Sequence, residues 1–168
     1  MTEEYVYHVD EDDNVIGKVT RKEVDYNKLR TRGSRVIISN NKNEILIQKR
    51  ASTKRKYPNH WDFGTAETLM YGESYESGAI RGLLEELNIY GISNFDIKFL
   101  FKLKYEDEEV KRWYKVYSLI YDGKITIDKN EVSVVKFVSI DVLDQMIETD
   151  KFAPQGLEVY KEFKRLRK

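Results

Sequence analysis

Two short apolar runs, separated by turn-forming residues, constrain the fold more than any other part of the sequence. Residues 36–38 are Val-Ile-Ile, residues 45–47 are Ile-Leu-Ile, and residues 40–43 between them are Asn-Asn-Lys-Asn. Strands exposed on one side alternate apolar and polar residues, whereas strands covered on both faces are apolar throughout. The runs therefore predict two adjacent central strands, at residues 35–39 and 44–48, with a layer of structure on each face.

One amphipathic helix is the clearest predicted element. Between residues 75 and 87, apolar residues recur at every fourth position, so their side chains share one face of a helix. Ser74 precedes this segment and is a predicted N-cap. Asn88 follows it, at a position where helices often end in a left-handed turn. The sequence therefore predicts a helix over residues 75–87 with its apolar stripe toward the core.

Shorter patterns indicate the remaining elements. They are an N-terminal hairpin at about residues 5–19, strands at 97–103, 114–121, 125–127 and 134–138, and helices near 140–147 and 157–166. Residues 23–32 fit either a short helix or a loop. Residues 49–73 have no clear period, and a long loop of this kind usually carries function. The order of elements predicts an α/β fold, a mixed β-sheet sandwiched between helices.

Composition narrows the class of protein. The chain has 168 residues, which suits one domain over residues 1–168, and its 29 basic and 29 acidic residues give zero net charge. This balance argues against a nucleic-acid partner, since such proteins carry a basic excess. The lack of cysteines excludes disulfides and a thiol nucleophile and fits a cytoplasmic protein. No signal peptide or apolar run of about 18 residues indicates a membrane.

Charged residues at the predicted helix raise the question of a metal site. Glu85 and Glu86 are adjacent, Arg81 lies one turn earlier, and Glu73 lies just before the helix. Neighbouring carboxylates repel each other and are costly to bury. A hard cation such as Mg²⁺ would compensate their charge and keep waters that a phosphate can replace. The alternative is a solvated acidic face with an Arg81–Glu85 surface pair, the commoner arrangement for such residues taken alone.

The spacing of these residues resembles the Nudix box. That pattern is Gly, five residues, Glu, seven residues, then Arg-Glu-aliphatic-any-Glu-Glu-any-Gly-aliphatic, and residues 67–89 are in register with it. The matching positions are Glu73, Arg81, Leu83, Glu85, Glu86 and Ile89. The box is degenerate at three positions, where Glu67 replaces the first Gly, Gly82 the Glu after Arg81, and Asn88 the last Gly.

The resemblance implies a Nudix fold and a hydrolase of nucleoside diphosphate derivatives or similar small pyrophosphates. Members of the family usually use Mg²⁺, and Mn²⁺ is the alternative. By resemblance, Glu85 and Glu86 are metal ligands and the Ala66 carbonyl is a backbone ligand. Arg81 orients the carboxylates by ion pairing, and Glu73 supports the cluster. A bound metal would polarise a phosphorus–oxygen bond and activate water.

Gly82 is the most consequential departure, because the Glu of the family at this position is a central metal ligand. A glycine offers no ligand, and within a helix it costs roughly 1 kcal/mol relative to Ala. Three replacements are open: Glu67 turned inward, Glu131 before a later strand, or the acidic run at residues 106–109. With Gly78, Gly82 also forms a Gly-x-x-x-Gly ridge suited to close packing. We expect Mg²⁺ to bind, but more weakly.

Basic and aromatic residues ahead of the box are candidate substrate-binding groups. A basic stretch could bind phosphates, and an exposed basic loop is an equally good interpretation of it: Lys49, Arg50, Lys54, Arg55 and Lys56. Arg32 is a weaker candidate of the same kind. Trp61 could stack on a base or an apolar tail, or pack in the core. The resemblance extends outside the box, to the branch related to isopentenyl-diphosphate isomerases. The approach to the box is similar at Lys49-Arg50, Lys54, Pro58 and Trp61-Asp62, and other parts of the chain are similar at Arg32, Glu131-Val132 and Phe152-Ala153-Pro154.

Three functions follow from these observations. The first is a metal-dependent hydrolase of a diphosphate linkage, weakened by Gly82. The second is a catalytically impaired protein that binds a nucleotide or diphosphate ligand. The third, a diphosphate isomerase, needs by resemblance a reactive cysteine, and the chain has none. The exposed edges of an N-terminal hairpin could also pair two chains into a homodimer. We favour the hydrolase.

Overall fold

A mixed β-sheet forms the centre of the protein in the computed structural model, which describes residues 2–167. The strands are β1 (Tyr5–Val9), β2 (Val15–Thr20), β3 (Arg30–Ser39), β4 (Ile45–Arg50), β5 (Trp61–Phe63), β6 (Thr65–Thr68), β7 (Lys98–Glu106), β8 (Lys111–Ile120) and β9 (Val132–Val138). The helices are α1 (Arg21–Asn27), α2 (Tyr75–Leu87), α3 (Ile140–Thr149) and α4 (Pro154–Leu166). The single domain expected over residues 1–168 includes residues 1 and 168, which lie outside the described range, and it stays a prediction.

Seven strands make up the central sheet. The spatial order is β5–β4–β3–β8–β7, with β6 also paired to β3 and β9 also paired to β4. Strands β3 and β8 run parallel, from Arg30 opposite Lys111 to Ser39 opposite Ile120. The other pairs in this sheet are antiparallel. Mixed pairing of this kind confirms the predicted sheet type.

Helices cover both faces of the sheet. On one face, apolar residues of α3 and α4 such as Leu143 and Val159 pack with Ile37 and other alternate residues of β3 and β4. On the opposite face, α2 packs its apolar stripe against Val36 and Leu46. Successive residues of each apolar run therefore point to opposite layers, as strands with two covered faces require. The predicted α/β architecture is confirmed.

Helix α2 has the bounds that its sequence predicts. Ser74 Oγ accepts a hydrogen bond from Ser77 N at 3.0 Å, which satisfies one of the free N–H groups of the first turn. Asn88 has φ 50° and its N–H bonds the carbonyls of Leu83 and Leu84. A left-handed residue at this position explains why Asn can stand there.

Other boundaries differ from the predictions. The strand predicted at residues 125–127 is irregular chain, because its backbone bonds the end of α2: Thr126 N donates to Leu87 O. The sequence also indicates a hairpin turn at Asp122-Gly123, between this predicted strand and the one before it, and that prediction is wrong because irregular chain follows β8. Residues 23–32, for which the sequence fits either a short helix or a loop, contain most of α1 and the start of β3. Residues 49–73, which have no clear period, contain β5 and β6. Short strands without alternating residues carry little periodic signal.

The N-terminal hairpin, β1 and β2, is joined to the rest of the protein through polar contacts. Buried Asp13 in its turn pairs with Arg32 and Lys102 and accepts a hydrogen bond from Tyr75 Oη at 2.9 Å. Across residues 2–167, none of the helices is long and apolar enough to cross a membrane. Pairing of two chains through this hairpin and a cytoplasmic location stay predictions.

Candidate active site

A cleft of about 820 Å³ opens beside the N-terminal part of β3 and the C-terminal half of α2. Acidic residues of α2 and β6 line one part of it. Basic residues from β8 and from the segment between β4 and β5 line another part. Helix α1 also contributes to the lining, through Val24 and Asp25. The cleft therefore brings together side chains from distant parts of the chain.

Arg81 on α2 is the centre of the acidic part. Its guanidinium donates to both carboxylate oxygens of Glu73, at 2.7 and 3.0 Å. Nη1 donates to Glu67 at 3.1 Å and to Glu85 at 3.2 Å, and Nη2 donates to Thr68 O at 2.9 Å. We call Glu67, Glu73, Glu85 and Glu86 the acidic cluster. One guanidinium thus fixes three of its four carboxylates, as expected for a bidentate, planar donor.

The remaining member, Glu86, lies at the bottom of the cleft and is only 7% exposed. It accepts hydrogen bonds from Ala66 N at 3.0 Å and from Gln48 Nε2. Burial, together with the negative charge of Glu67, raises the pKa of Glu86 to about 8, and these two hydrogen bonds oppose that shift. A neighbouring cation would favour the ionised form of this carboxyl.

Two further carboxyls of the cluster have displaced pKa values. Burial raises the pKa of Glu67, the Arg81 guanidinium opposes that shift, and the charge of Glu85 adds to it. For Glu73, burial also opposes ionisation, but the hydrogen bonds from Arg81 and from Met70 N outweigh it and lower the pKa. Glu73 is therefore a stable anion that anchors Arg81, whereas Glu67 carries charge that is poorly compensated.

Glu67 lies directly against the glycine that interrupts the box. A Cβ built on Gly82 would stand 2.7 Å from Glu67 Cγ and 3.5 Å from Glu67 Cβ. Gly78, one turn earlier, is in similar contact with Leu69, whose Cδ1 would be 3.1 Å from an added Cβ. The close packing expected of the Gly-x-x-x-Gly ridge is confirmed, and at Gly82 the packing partner is an acidic side chain.

The residues present fit a divalent cation by their chemistry, although no preformed cage is seen. Within residues 2–167, no three acidic or histidine side chains already stand where they could hold one ion. Gln48 Oε1 is buried and has no hydrogen-bond partner in this part of the chain, while its Nε2 binds Glu86. Carboxylate and amide oxygens are the ligands that Mg²⁺ prefers.

Eight basic residues line the same cleft. Arg21 pairs with Glu4, Arg35 with Asp62, and Arg81 with the acidic cluster. The other five are here called the basic group: Arg50, Lys54, Arg55, Lys56 and Arg112. Three of them are paired with acids: Arg55 and Lys56 with Asp25 of α1, and Lys54 with Glu131 at 2.5 Å. Within the described chain, neither Arg50 nor Arg112 forms an ion pair. Arg50 Nε donates to Lys56 O at 3.1 Å and Arg112 Nε to Thr31 Oγ1 at 2.9 Å. These two arginines retain donors for an anionic ligand.

The residues predicted from sequence are only partly brought together. Glu73 contacts the cleft through Arg81. Seven other predicted residues line the cleft directly: Arg50, Ala66, Glu67, Arg81, Glu85, Glu86 and Glu131. Lys49, Trp61 and Arg32 are not among the residues that line it. The Lys49 ammonium instead lies 5.7 Å from the centre of the Trp61 ring, and Arg32 binds Asp13. Their role in substrate binding stays a prediction.

Sequence reasoning missed Gln48, Arg112 and Asp25. Gln48 follows three apolar residues in a strand predicted to be covered on both faces, so its amide had to be buried, and that was an available signal. Arg112 enters the cleft because β8 pairs with β3, opposite Thr31. Asp25 does so because α1 packs over the basic group. Neither relationship has a local sequence signal.

Comparisons with known proteins agree with the geometry. A sequence model of the NUDIX domain matches residues 29–163. An uncharacterized Nudix hydrolase of Pseudomonas aeruginosa is 26% identical over 155 residues, covering 92% of this chain and 90% of that protein. The chain also resembles the crystal structure of DR0079 from Deinococcus radiodurans, with a TM-score of 0.80, 22% identity and coverage of 95% and 98%.

A second solved structure shares the fold at lower similarity. It is a bifunctional NMN adenylyltransferase/ADP ribose pyrophosphatase from Francisella tularensis, crystallised with AMP and a Mn ion. The TM-score is 0.62 at 16% identity, and the match covers 80% of this chain and 41% of that chain. At these identities, the likeness of both solved structures concerns the fold.

Proposed function

This chain belongs to the Nudix family, and we propose that it is a metal-dependent hydrolase that cleaves a diphosphate linkage in a nucleoside diphosphate derivative or a similar small pyrophosphate. The observation that carries this proposal is that the acidic cluster and the basic group line one cleft. A diphosphate bridged by Mg²⁺ needs oxygen ligands on one side and cationic donors on the other.

Each part of the cleft has a role in this proposal. Glu67, Glu85 and Glu86, with the Ala66 carbonyl, would hold Mg²⁺ or Mn²⁺. When bound, the ion would polarise the scissile phosphorus–oxygen bond and lower the pKa of a bound water. Arg81 holds the carboxylates of the cluster in place through its hydrogen bonds. A bifunctional protein that includes this fold has been solved in complex with AMP and a Mn ion.

The basic group would bind the phosphates. Arg50 and Arg112 are free of ion pairs within residues 2–167, and their guanidinium forks suit phosphate oxygens. Lys54 is paired with Glu131, and Arg55 and Lys56 share the one carboxylate of Asp25. Their cationic groups would become available to a substrate whose charge competes with those two carboxylates. Magnesium dependence and the substrate class are parts of the proposal.

A second function, binding without efficient turnover, is favoured by one observation. No set of three acidic or histidine ligands is already assembled in the described part of the chain. In that case the protein would bind a nucleotide or diphosphate in the cleft, and hydrolysis would be slow or absent. The lack of a cysteine still excludes, by resemblance, the isomerase.

One assay separates the two functions. The protein is incubated with Mg²⁺, Mn²⁺ or EDTA and a panel of nucleoside diphosphates, dinucleotides, sugar nucleotides and isoprenoid diphosphates, and released phosphate or nucleotide is measured. We expect release with a divalent ion and none in EDTA, and Glu86→Gln should lose it. Tight binding without release across the panel would contradict the hydrolase and support the binding protein.

A further inference from the structure

Gly82 of α2 stands where the family has a glutamate, and the side chain of Glu67 from β6 occupies the space beside it. The Nudix box puts a carboxylate at position 82 and a glycine at position 67, and this chain has the reverse. We propose that Glu67 and Gly82 are a reciprocal exchange, in which Glu67 delivers from β6 the metal-binding carboxylate that the box places on α2. This inference rests on the proposed metal site and assigns one of its ligands.

The space around Gly82 supports the exchange. An added Cβ at residue 82 would lie 2.7 Å from Glu67 Cγ, closer than real Cβ atoms approach other carbons. The Glu67 side chain therefore crosses the volume in which a side chain from position 82 would begin. Glycine at 82 is the residue that permits this path, since it alone has no Cβ. Glu67 can therefore take this path only with glycine at position 82.

The backbone conformation at position 67 does not require glycine. Glu67 lies in β6, opposite Ser34 of β3, in an antiparallel pair. It is not among the non-glycine residues with positive φ, which are Asp13, Lys28, Asn43, Tyr57, Asn59 and Asn88. A strand residue with extended backbone accommodates glutamate without strain. A glycine would be needed at this position only for a positive φ, where glutamate is strained, and Glu67 does not have that conformation.

The position of the Glu67 carboxylate relative to its neighbours fits a ligand. Arg81 Nη1 donates to both Glu67 and Glu85, so one nitrogen joins carboxylates from two different elements. The Glu67 side chain is 16% exposed and lines the cleft. Glu86 lies beside the same strand, because its carboxylate accepts a hydrogen bond from the N–H of Ala66, the residue before Glu67, at 3.0 Å. The three carboxylates of the proposed ligand set therefore share one neighbourhood.

An ion pair with Arg81 is the competing explanation for Glu67. Arg81 is already bound by both oxygens of Glu73 and by Thr68 O, so it has other acceptors. If Glu67 served only that pair, its removal would alter stability but not metal affinity. A measurement of metal affinity without substrate therefore separates the two roles.

The test measures Mn²⁺ binding by electron paramagnetic resonance in wild type, Glu67→Gln, Glu67→Gly, Gly82→Glu and the double variant Glu67→Gly/Gly82→Glu. We expect Glu67→Gln, which keeps the contact with Gly82, to weaken Mn²⁺ binding by about tenfold or more. Gly82→Glu alone should melt at a lower temperature, because its Cβ meets Glu67. The double variant should recover Mn²⁺ affinity to within about threefold of wild type. Glu76→Gln, on the same helix and bonded to Tyr117, is the matched control and should bind Mn²⁺ normally.

The outcomes distinguish this inference from the proposed function. Wild-type Mn²⁺ affinity in Glu67→Gln, or a double variant that binds no better than Glu67→Gly, would overturn the exchange while leaving a metal-dependent hydrolase intact. No Mn²⁺ binding by the wild-type protein at millimolar concentration would overturn both. Melting temperatures of all variants show which of them are folded.

Discussion

Gln48 of β4 donates a hydrogen bond to Glu86 of α2 at the bottom of the cleft, and the two residues are 2% and 7% exposed. Besides this bond, Glu86 is bonded by Ala66 N. Gln48 therefore holds a buried carboxylate that would otherwise lose half of these partners. Buried polar groups of this kind are costly to leave unsatisfied.

Replacing Gln48 by Leu should destabilise the metal-free protein by about 1–3 kcal/mol, because it leaves part of a buried carboxylate without a partner. The free energy of unfolding in urea measures this. Gln145→Leu, at an exposed position of α3, is the control and should change it by less than about 0.5 kcal/mol. Equal effects of the two substitutions would show that the Gln48–Glu86 hydrogen bond contributes nothing to the free energy of unfolding.

Arg81→Lys should lower kcat/KM by about tenfold or more, since an ammonium cannot replace a guanidinium that bonds Glu67, Glu73, Glu85 and Thr68 O together. Steady-state hydrolysis of the best substrate from the panel measures it. Arg165→Lys changes an exposed pair on α4 and should leave kcat/KM unaltered. Wild-type kcat/KM in Arg81→Lys would mean that the carboxylates need no such positioning.

Asp62→Ala should destabilise the fold by about 3–5 kcal/mol, because it leaves Arg35 charged and buried. Arg35 Nη1 lies 2.8 Å from Asp62 Oδ1, and each side chain is 3% exposed. Chemical denaturation is again the measurement. The exposed pair Lys161–Glu158 supplies the comparison, since Glu158→Ala should cost less than about 1 kcal/mol. If Asp62→Ala lowered the free energy of unfolding by as little as Glu158→Ala does, that result would contradict the burial of the Arg35–Asp62 pair.

Arg50→Ala and Arg112→Ala should each raise KM about tenfold, with a smaller change in kcat, because they remove cationic donors from the phosphate-binding side of the cleft. Initial rates over a range of substrate concentrations separate KM from kcat. Lys161→Ala, which removes a positive charge from α4, is the control for net charge. If Lys161→Ala raised KM equally, overall charge rather than the basic group would explain the effect.

Helix α2 could be predicted from the sequence because its information is local. The apolar period, the Ser74 cap and the left-handed Asn88 all lie within fifteen residues, and each acts on its neighbours. The central runs of β3 and β4 were equally clear, because a strand covered on both faces has no alternating pattern. The spacing of the box likewise indicates Glu73, Glu85 and Glu86 as members of the acidic cluster.

The rest of the site depends on contacts between distant segments. Arg112 reaches the cleft through parallel pairing of β3 with β8, and Glu67 meets Gly82 only when β6 packs on α2. Trp61 and Lys49 carry plausible binding chemistry, yet they contact each other outside the cleft lining. Residues 125–127 have strand-like composition, but their backbone bonds the end of α2. Local sequence patterns indicate which residues have suitable binding chemistry. Contacts between distant segments determine which of those residues lie in one cleft.

The central claim is that Glu67, Glu85 and Glu86 bind one divalent cation in the cleft, and anomalous diffraction from crystals soaked in MnCl₂ tests it most directly. We predict a single Mn²⁺ peak with carboxylate oxygens of all three residues within about 2.6 Å. A cleft without an anomalous peak at saturating Mn²⁺ would contradict the claim.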